Sequence, residues 1–109
     1  MSKIRRKMAF YLGHLGGAEQ IAVRRLAEEV SPEPPGESHD WRFQEVLGIQ
    51  AALEELPRQV PMRDEFLVIY PSGSSLSGAE LDQVRERVKN VILGLKPGWN
   101  GKLTVKVLK

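Results

Sequence analysis

The sequence predicts a single α/β domain, on three observations. Phe66-Leu-Val-Ile-Tyr70 is an unbroken apolar run, as expected of a strand covered on both faces. An amphipathic helix and then an alternating strand follow it, and a strand–helix–strand of this length favours a right-handed parallel crossover. The 109 residues, 41% hydrophobic and 28% charged, supply one core without staples.

The first 30 residues allow two readings. Ile4, Met8, Tyr11, Leu12 and Leu15 recur at helical spacing, whereas Met8, Phe10 and Leu12 alternate as in a strand. Gly13, Gly16 and Gly17 then supply a turn. Residues 18–30 read as a helix through Ile21, Leu26 and Val30, and less naturally as a strand. Ser31-Pro-Glu-Pro-Pro-Gly-Glu-Ser38 cannot continue a helix or a central strand, so residues 31–40 form a proline-rich loop within one domain, 1–109.

The spacing predicts a helix over 41–56, with Phe43, Val46, Leu47, Leu53 and Leu56 on one stripe. Asp40 would cap it and Pro57 would stop it. Pro71 ends the 66–70 strand. Ser77-Gly-Ala-Glu80 has capping-box spacing. Leu81, Val84, Val88, Val91 and Leu95 form the stripe of the next helix, which Lys96-Pro-Gly98 ends. Leu103, Val105 and Val107 alternate with Lys102, Thr104 and Lys106, the pattern of a half-exposed strand near an edge. Together these elements compose an α/β domain with a mixed sheet and helices. The alternative is α+β with a helical N-terminal half.

Several classes of protein are excluded. With no cysteine, the chain carries no disulfide scaffold, thiol nucleophile or cysteine zinc site. Two histidines, His14 and His39, make a poor metal site, so no metal and no cofactor are expected. No apolar run approaches ~18–20 residues, so no membrane partner is expected. No leader-like apolar segment follows the basic start, so the expected location is the cytoplasm.

Charge is segregated. Residues 1–7 carry four cations, Lys3, Arg5, Arg6 and Lys7, and no acid. Residues 96–109 carry Lys96, Lys102, Lys106 and Lys109, again with no acid. The stretch between holds eight basic and fourteen acidic side chains. Brought together by the fold, the two ends would make a positive patch suited to phosphates or to an acidic partner. Lysine-rich ends also serve solubility.

Three segments resemble the ribonuclease H-like fold: Pro34-Pro-Gly-Glu-Ser38, Arg42-Phe-Gln-Glu-Val-Leu-Gly-Ile-Gln-Ala-Ala-Leu53, and Phe66-Leu-Val-Ile-Tyr-Pro-Ser-Gly-Ser-Ser-Leu76. In that family a loop leads into a helix bearing a glutamate and an Ala-Leu pair, and the next strand ends in Tyr-Thr-Asp-Ser. Glu45, Ala52-Leu53 and Val68-Ile-Tyr70 fall at those places. The resemblance spans residues 31–107 and implies that Met8–Leu12 is the first strand and that 18–30 supplies strand. Enzymes of the family hold two Mg²⁺ ions about 4 Å apart with a carboxylate cluster. Here Pro71-Ser72-Gly73 follows Tyr70, and Leu12-Gly13-His14 ends the first strand, where the family has aspartates. Glu45 alone cannot assemble that site, so the resemblance implies a pared-down, non-catalytic relative.

Other segments carry weaker chemistry. Ser72-Gly73-Ser74-Ser75 precedes a helix N-terminus and could bind an anion, or merely cap the helix. Gly13-His-Leu-Gly16 has the spacing of a backbone-clamping GxxG loop, but reads better as a helix-flanking turn. Glu45 and His14 are the candidates for acid–base work, with no nucleophile motif beside them, and His39, in a polar loop, reads as a solvated residue. Trp99, beside Lys96 and Lys102, could stack on a base or lid the preceding helix. Trp41 reads as core.

The expected function is a non-catalytic nucleic-acid-binding or nucleoprotein accessory protein. Its binding residues would be Arg5, Arg6, Lys7, Lys96, Trp99, Lys102 and Lys106. The alternative is a protein-interaction or assembly subunit, a homo-oligomer or a component of a larger complex, pairing through the Leu103–Leu108 edge.

Overall fold

Strand and helix alternate along the whole chain in a computed structural model that describes residues 3–109. The order is β1 (Lys3–Tyr11), α1 (Gly17–Val30), β2 (Glu37–Glu45), α2 (Ile49–Gln59), a 3-10 turn (Val60–Met62), β3 (Glu65–Tyr70), α3 (Gly78–Leu95) and β4 (Lys102–Val107). The four strands form one sheet in the order β2-β1-β3-β4, and every pairing is parallel. The expected mixed sheet is therefore corrected: each of the first three strands is followed by a helix long enough to return the chain to the same end.

Strand parity divides the core in two. Met8, Phe10, Leu12, Phe66, Val68, Leu103 and Val105 face α2 and α3. Ala9, Tyr11, Leu67 and Ile69 face α1 through Val23 and Ala27. The helices thus lie on both faces, one below and two above. That is the doubly wound arrangement in which β1 and β3 flank a topological switch point.

The two open readings of residues 1–30 are resolved locally. Met8–Tyr11 is buried within β1 with Leu12 buried just beyond it, and 17–30 is helical. The helical N-terminal half falls away, and so does the strand that the resemblance implied for 18–30.

The largest departure is at 37–45. The stripe expected over 41–56 is two elements, a strand and then a helix that starts at Ile49. Phe43, Val46 and Leu47 match helical spacing only by chance of composition, and Leu47 is fully solvent-exposed. In β2 the alternation is instead Trp41 and Phe43 on the α1 face, with Asp40, Arg42 and Gln44 on the other. Asp40 is not a helix cap; it lies 4.0 Å from Arg42 on the same strand. The loop correspondingly ends at Gly36 rather than at residue 40. Gly36 has φ +85°, a value that a β-carbon would strain. Pro57 does not stop α2, which runs two residues further. It sits in the last turn, where its missing N–H removes a single bond.

The second half follows expectation. Ser77 accepts from the Glu80 backbone N–H, and Glu80 accepts from the Ser77 N–H, closing the capping box of α3. β4 lies at one edge of the sheet and β2 at the other. Among the described residues, no helix is long and apolar enough to cross a membrane.

Candidate functional site

Parallel strands give the sheet two chemically distinct ends. The carboxyl end carries the loops after β1 and β3, and the amino end carries the basic start of β1 together with Lys102 of β4.

At the carboxyl end, the parallel register places Glu45 beside Tyr11 and hence beside the β1–α1 loop. Glu45 Oε1 accepts the Leu15 backbone N–H at 2.6 Å and lies 3.2 Å from His14 Nδ1. The fold thus unites the two acid–base candidates, although they are 31 positions apart in the chain. Glu45 holds the loop and orients the imidazole, leaving Nε2 free. His14 is 85% exposed, and no nucleophile is held against it. A general base needs a reacting group within hydrogen-bond reach, and this pair presents none. Among the described residues, no group of three or more histidines and acids is arranged to hold a metal.

The serine loop closes a turn on its own backbone through Ser74. Ser74 donates its hydroxyl to Pro71 O at 2.6 Å and its N–H to the same oxygen. The α3 N-terminus is occupied by its capping box, which holds the Glu80 carboxyl below its ordinary range through the Ser77 N–H and hydroxyl. Across the switch point, a β-carbon on Gly13 would lie 2.9 Å from the Pro71 ring, so the two loops pack directly on each other.

The amino end is different. Lys3, Arg5, Arg63 and Lys96 line one recess of about 440 Å³ with the Gly98–Gly101 loop as its wall. Arg5 also borders the neighbouring recess, which Lys102 lines. The basic segments of the two chain ends therefore meet, because β1, β3 and β4 are adjacent and run the same way. Three carboxylates, Glu37, Asp64 and Glu65, line these two recesses. Asp64 Oδ2 accepts the Arg6 backbone N–H at 3.0 Å. Glu37 faces Arg5 at 3.7 Å and the His39 ring at 3.2 Å. His39, which reads as a solvated loop residue from sequence, has a side chain only 5% exposed.

Not every expected cation belongs here. Lys7 is buried and ion-paired with Glu65 at 2.8 Å, with Ser31 bridging the two. It cannot meet a ligand, and a basic residue in a strand centre gave no local sign of that. Arg6 points to the opposite face, among Arg42, Gln59 and Arg63. Lys106 lies toward the carboxyl end, beside Arg25 and Glu29 of α1. Arg63 was not singled out from sequence; it reaches the recess because the 3-10 turn delivers it beside β1. Burial pulls the Arg63 guanidinium below its ordinary pKa, opposed by Asp40 and assisted by Arg42 and Arg6.

Trp99 is a lid rather than a free stacking platform. Its indole N–H donates to Arg63 O at 2.9 Å, and its ring is tilted on Phe66 with centroids 5.8 Å apart. It fixes the wall that carries Lys96 and anchors the backbone of Arg63.

No protein-family model matches the chain, and no curated protein matches it significantly.

Proposed function

We propose that the protein is a non-catalytic nucleic-acid-binding protein that holds backbone phosphates along the amino end of its sheet. One observation carries this reading: Lys3, Arg5, Arg63 and Lys96 surround a single recess, with Lys102 in the next. Phosphate contacts of this kind give affinity without base discrimination, because the cations release counterions on binding. Arg63 and Arg5 offer planar donors for phosphate oxygens, and the lysines act as point charges. Trp99 supports the site from behind. The reading does not rest on the ribonuclease H resemblance or on the His14–Glu45 pair.

Fluorescence anisotropy with labelled single-stranded, double-stranded and RNA–DNA hybrid oligonucleotides tests it. Salt is titrated from about 50 to 200 mM, a range over which several phosphate contacts cost orders of magnitude in affinity. Salt-steep binding without strand cleavage is expected. The Lys3→Ala/Lys96→Ala variant should bind more weakly and with a slope shallower by about 2. No binding at low salt, or an unchanged slope in the variant, overturns the assignment.

A further inference from the structure

The long edge strand β2 is open along its outer side. It spans nine residues in unbroken register, with no proline and no bulge to blunt the edge, and its charges are of both signs. Parity of the backbone is set by its bonds to β1: the Val46 N–H goes to Tyr11 O, and Gly36 O accepts the Lys3 N–H. Even-numbered residues of β2 thus turn their backbone inward, and Glu37, His39, Trp41, Phe43 and Glu45 turn theirs outward. The His39 N–H confirms the direction by donating to Glu33, in the loop outside the sheet, at 3.3 Å.

Recesses flank this strand on both faces, because α1 and α2 stop short of the edge. One of about 320 Å³ lies beside Trp41 and Phe43, and one of about 500 Å³ lies beside Asp40 and Arg42. Trp41 and Phe43, stacked with centroids 5.9 Å apart, remain only half-buried there.

We infer that β2 pairs antiparallel with β2 of a second copy, about a two-fold axis at Trp41, to form a homodimer with one continuous eight-stranded sheet. The order of side chains about the strand centre is self-complementary, which favours a second copy and this register. With Trp41 opposite the second Trp41, Asp40 stands opposite Arg42 twice, once on each side of the axis. Such opposed charges stabilise a cross-strand pair. Ser38 meets Gln44, and His39 meets Phe43 on the aromatic face. At the two ends of the ladder Glu37 meets Glu45, a like-charge pair whose carboxylates already have partners in their own chain, Arg5 for Glu37 and His14 with the Leu15 N–H for Glu45. Sliding the centre by one residue in either direction sets Arg42 against Arg42 or Asp40 against Asp40. The Trp41 register also matches the outward backbone groups of both strands, as two-fold pairing requires. The weak His39–Glu33 bond is exchanged for one to the second copy's Phe43 carbonyl.

Sedimentation velocity between about 1 μM and 1 mM, with no nucleic acid present, reads this directly. The wild type should show a monomer–dimer equilibrium. Asp40→Arg and Arg42→Asp each place like charges opposite each other twice, and each should weaken the dimer at least about tenfold. Both positions are exposed, and circular dichroism checks that the variants fold. The Asp40→Arg/Arg42→Asp double variant should recover dimerisation. An equimolar mixture of the two single variants should form a heterodimer, since each then faces its complement. A wild type that stays monomeric, single variants that dimerise like the wild type, or a mixture that stays monomeric overturns the proposal.

Discussion

Lys7 Nζ lies 2.8 Å from Glu65 Oε1, on residues directly paired between β1 and β3, and both side chains are 5% exposed. The Ser31 hydroxyl bridges the pair, donating to Glu65 Oε1 at 2.9 Å, and ties the end of α1 to the sheet. The Trp41 ring covers the ammonium at 5.5 Å. The other carboxylate oxygen, Glu65 Oε2, is buried with no hydrogen-bond partner.

Removing one member of this pair strands the other. Lys7→Ala should cost about 3–5 kcal/mol, because it leaves an uncompensated buried carboxylate. The Lys7→Met/Glu65→Leu variant should be far closer to wild type, since it abolishes two desolvated charges together. Chemical denaturation of the three proteins measures both; a single variant no worse than the double contradicts this account.

The capping box should make stability depend on acid. Glu80 is held below its ordinary value of 4.5 by the Ser77 N–H and hydroxyl. Its contribution is therefore fully present above the unfolded-state value and is lost as pH falls through the lower folded-state value. Ser77→Ala should destabilise the protein by about 1 kcal/mol at neutral pH. The gap to wild type should narrow in acid. Thermal unfolding between neutral pH and pH 3 or below checks the trend; a gap that widens in acid contradicts it.

Gly101 permits a backbone approach that no other residue allows. A β-carbon there would lie 2.1 Å from Asp64 O and 2.4 Å from the Trp99 ring. Gly101→Ala should thus displace the indole, break its bond to Arg63 and cost about 1–3 kcal/mol, as overpacking does. In a Trp41→Phe background, Trp99 emission should shift to the red. Unchanged emission and stability would show that the loop relaxes freely.

The placement of the cations separates two lysines that look alike in sequence. Lys96→Ala should reduce the salt slope of nucleic-acid binding by about 1. Lys106→Ala, at the other end of the sheet, should leave it unchanged. Equal effects would mean that charge acts globally rather than through the recess.

The sequence revealed the elements whose local signals agree. The apolar run of β3, the capping box and stripe of α3 and the alternation of β4 are each complete within a few residues. β2 was illegible for a physical reason. An edge strand buries only one half of its pattern, and Phe43, Val46 and Leu47 simulated a helical stripe up to Gly48. The candidate site was half legible. Charge segregation pointed to the two ends, but the burial of Lys7 depends on Glu65, which is 58 positions away. The approach of His14 to Glu45 likewise depends on the parallel register.

The order β2-β1-β3-β4 also has a consequence for biosynthesis. The strand made first occupies an inner position, and Lys7 reaches its β3 neighbour only when Glu65 has been made. At about 5–20 residues per second, the apolar segment Met8–Leu12 leaves the ribosome several seconds before its second flank exists. During that interval only α1, β2 and α2 can cover it. Lys3, Arg5, Arg6 and Lys7 lie directly beside that segment, the placement by which like charges flanking an apolar strand oppose its aggregation.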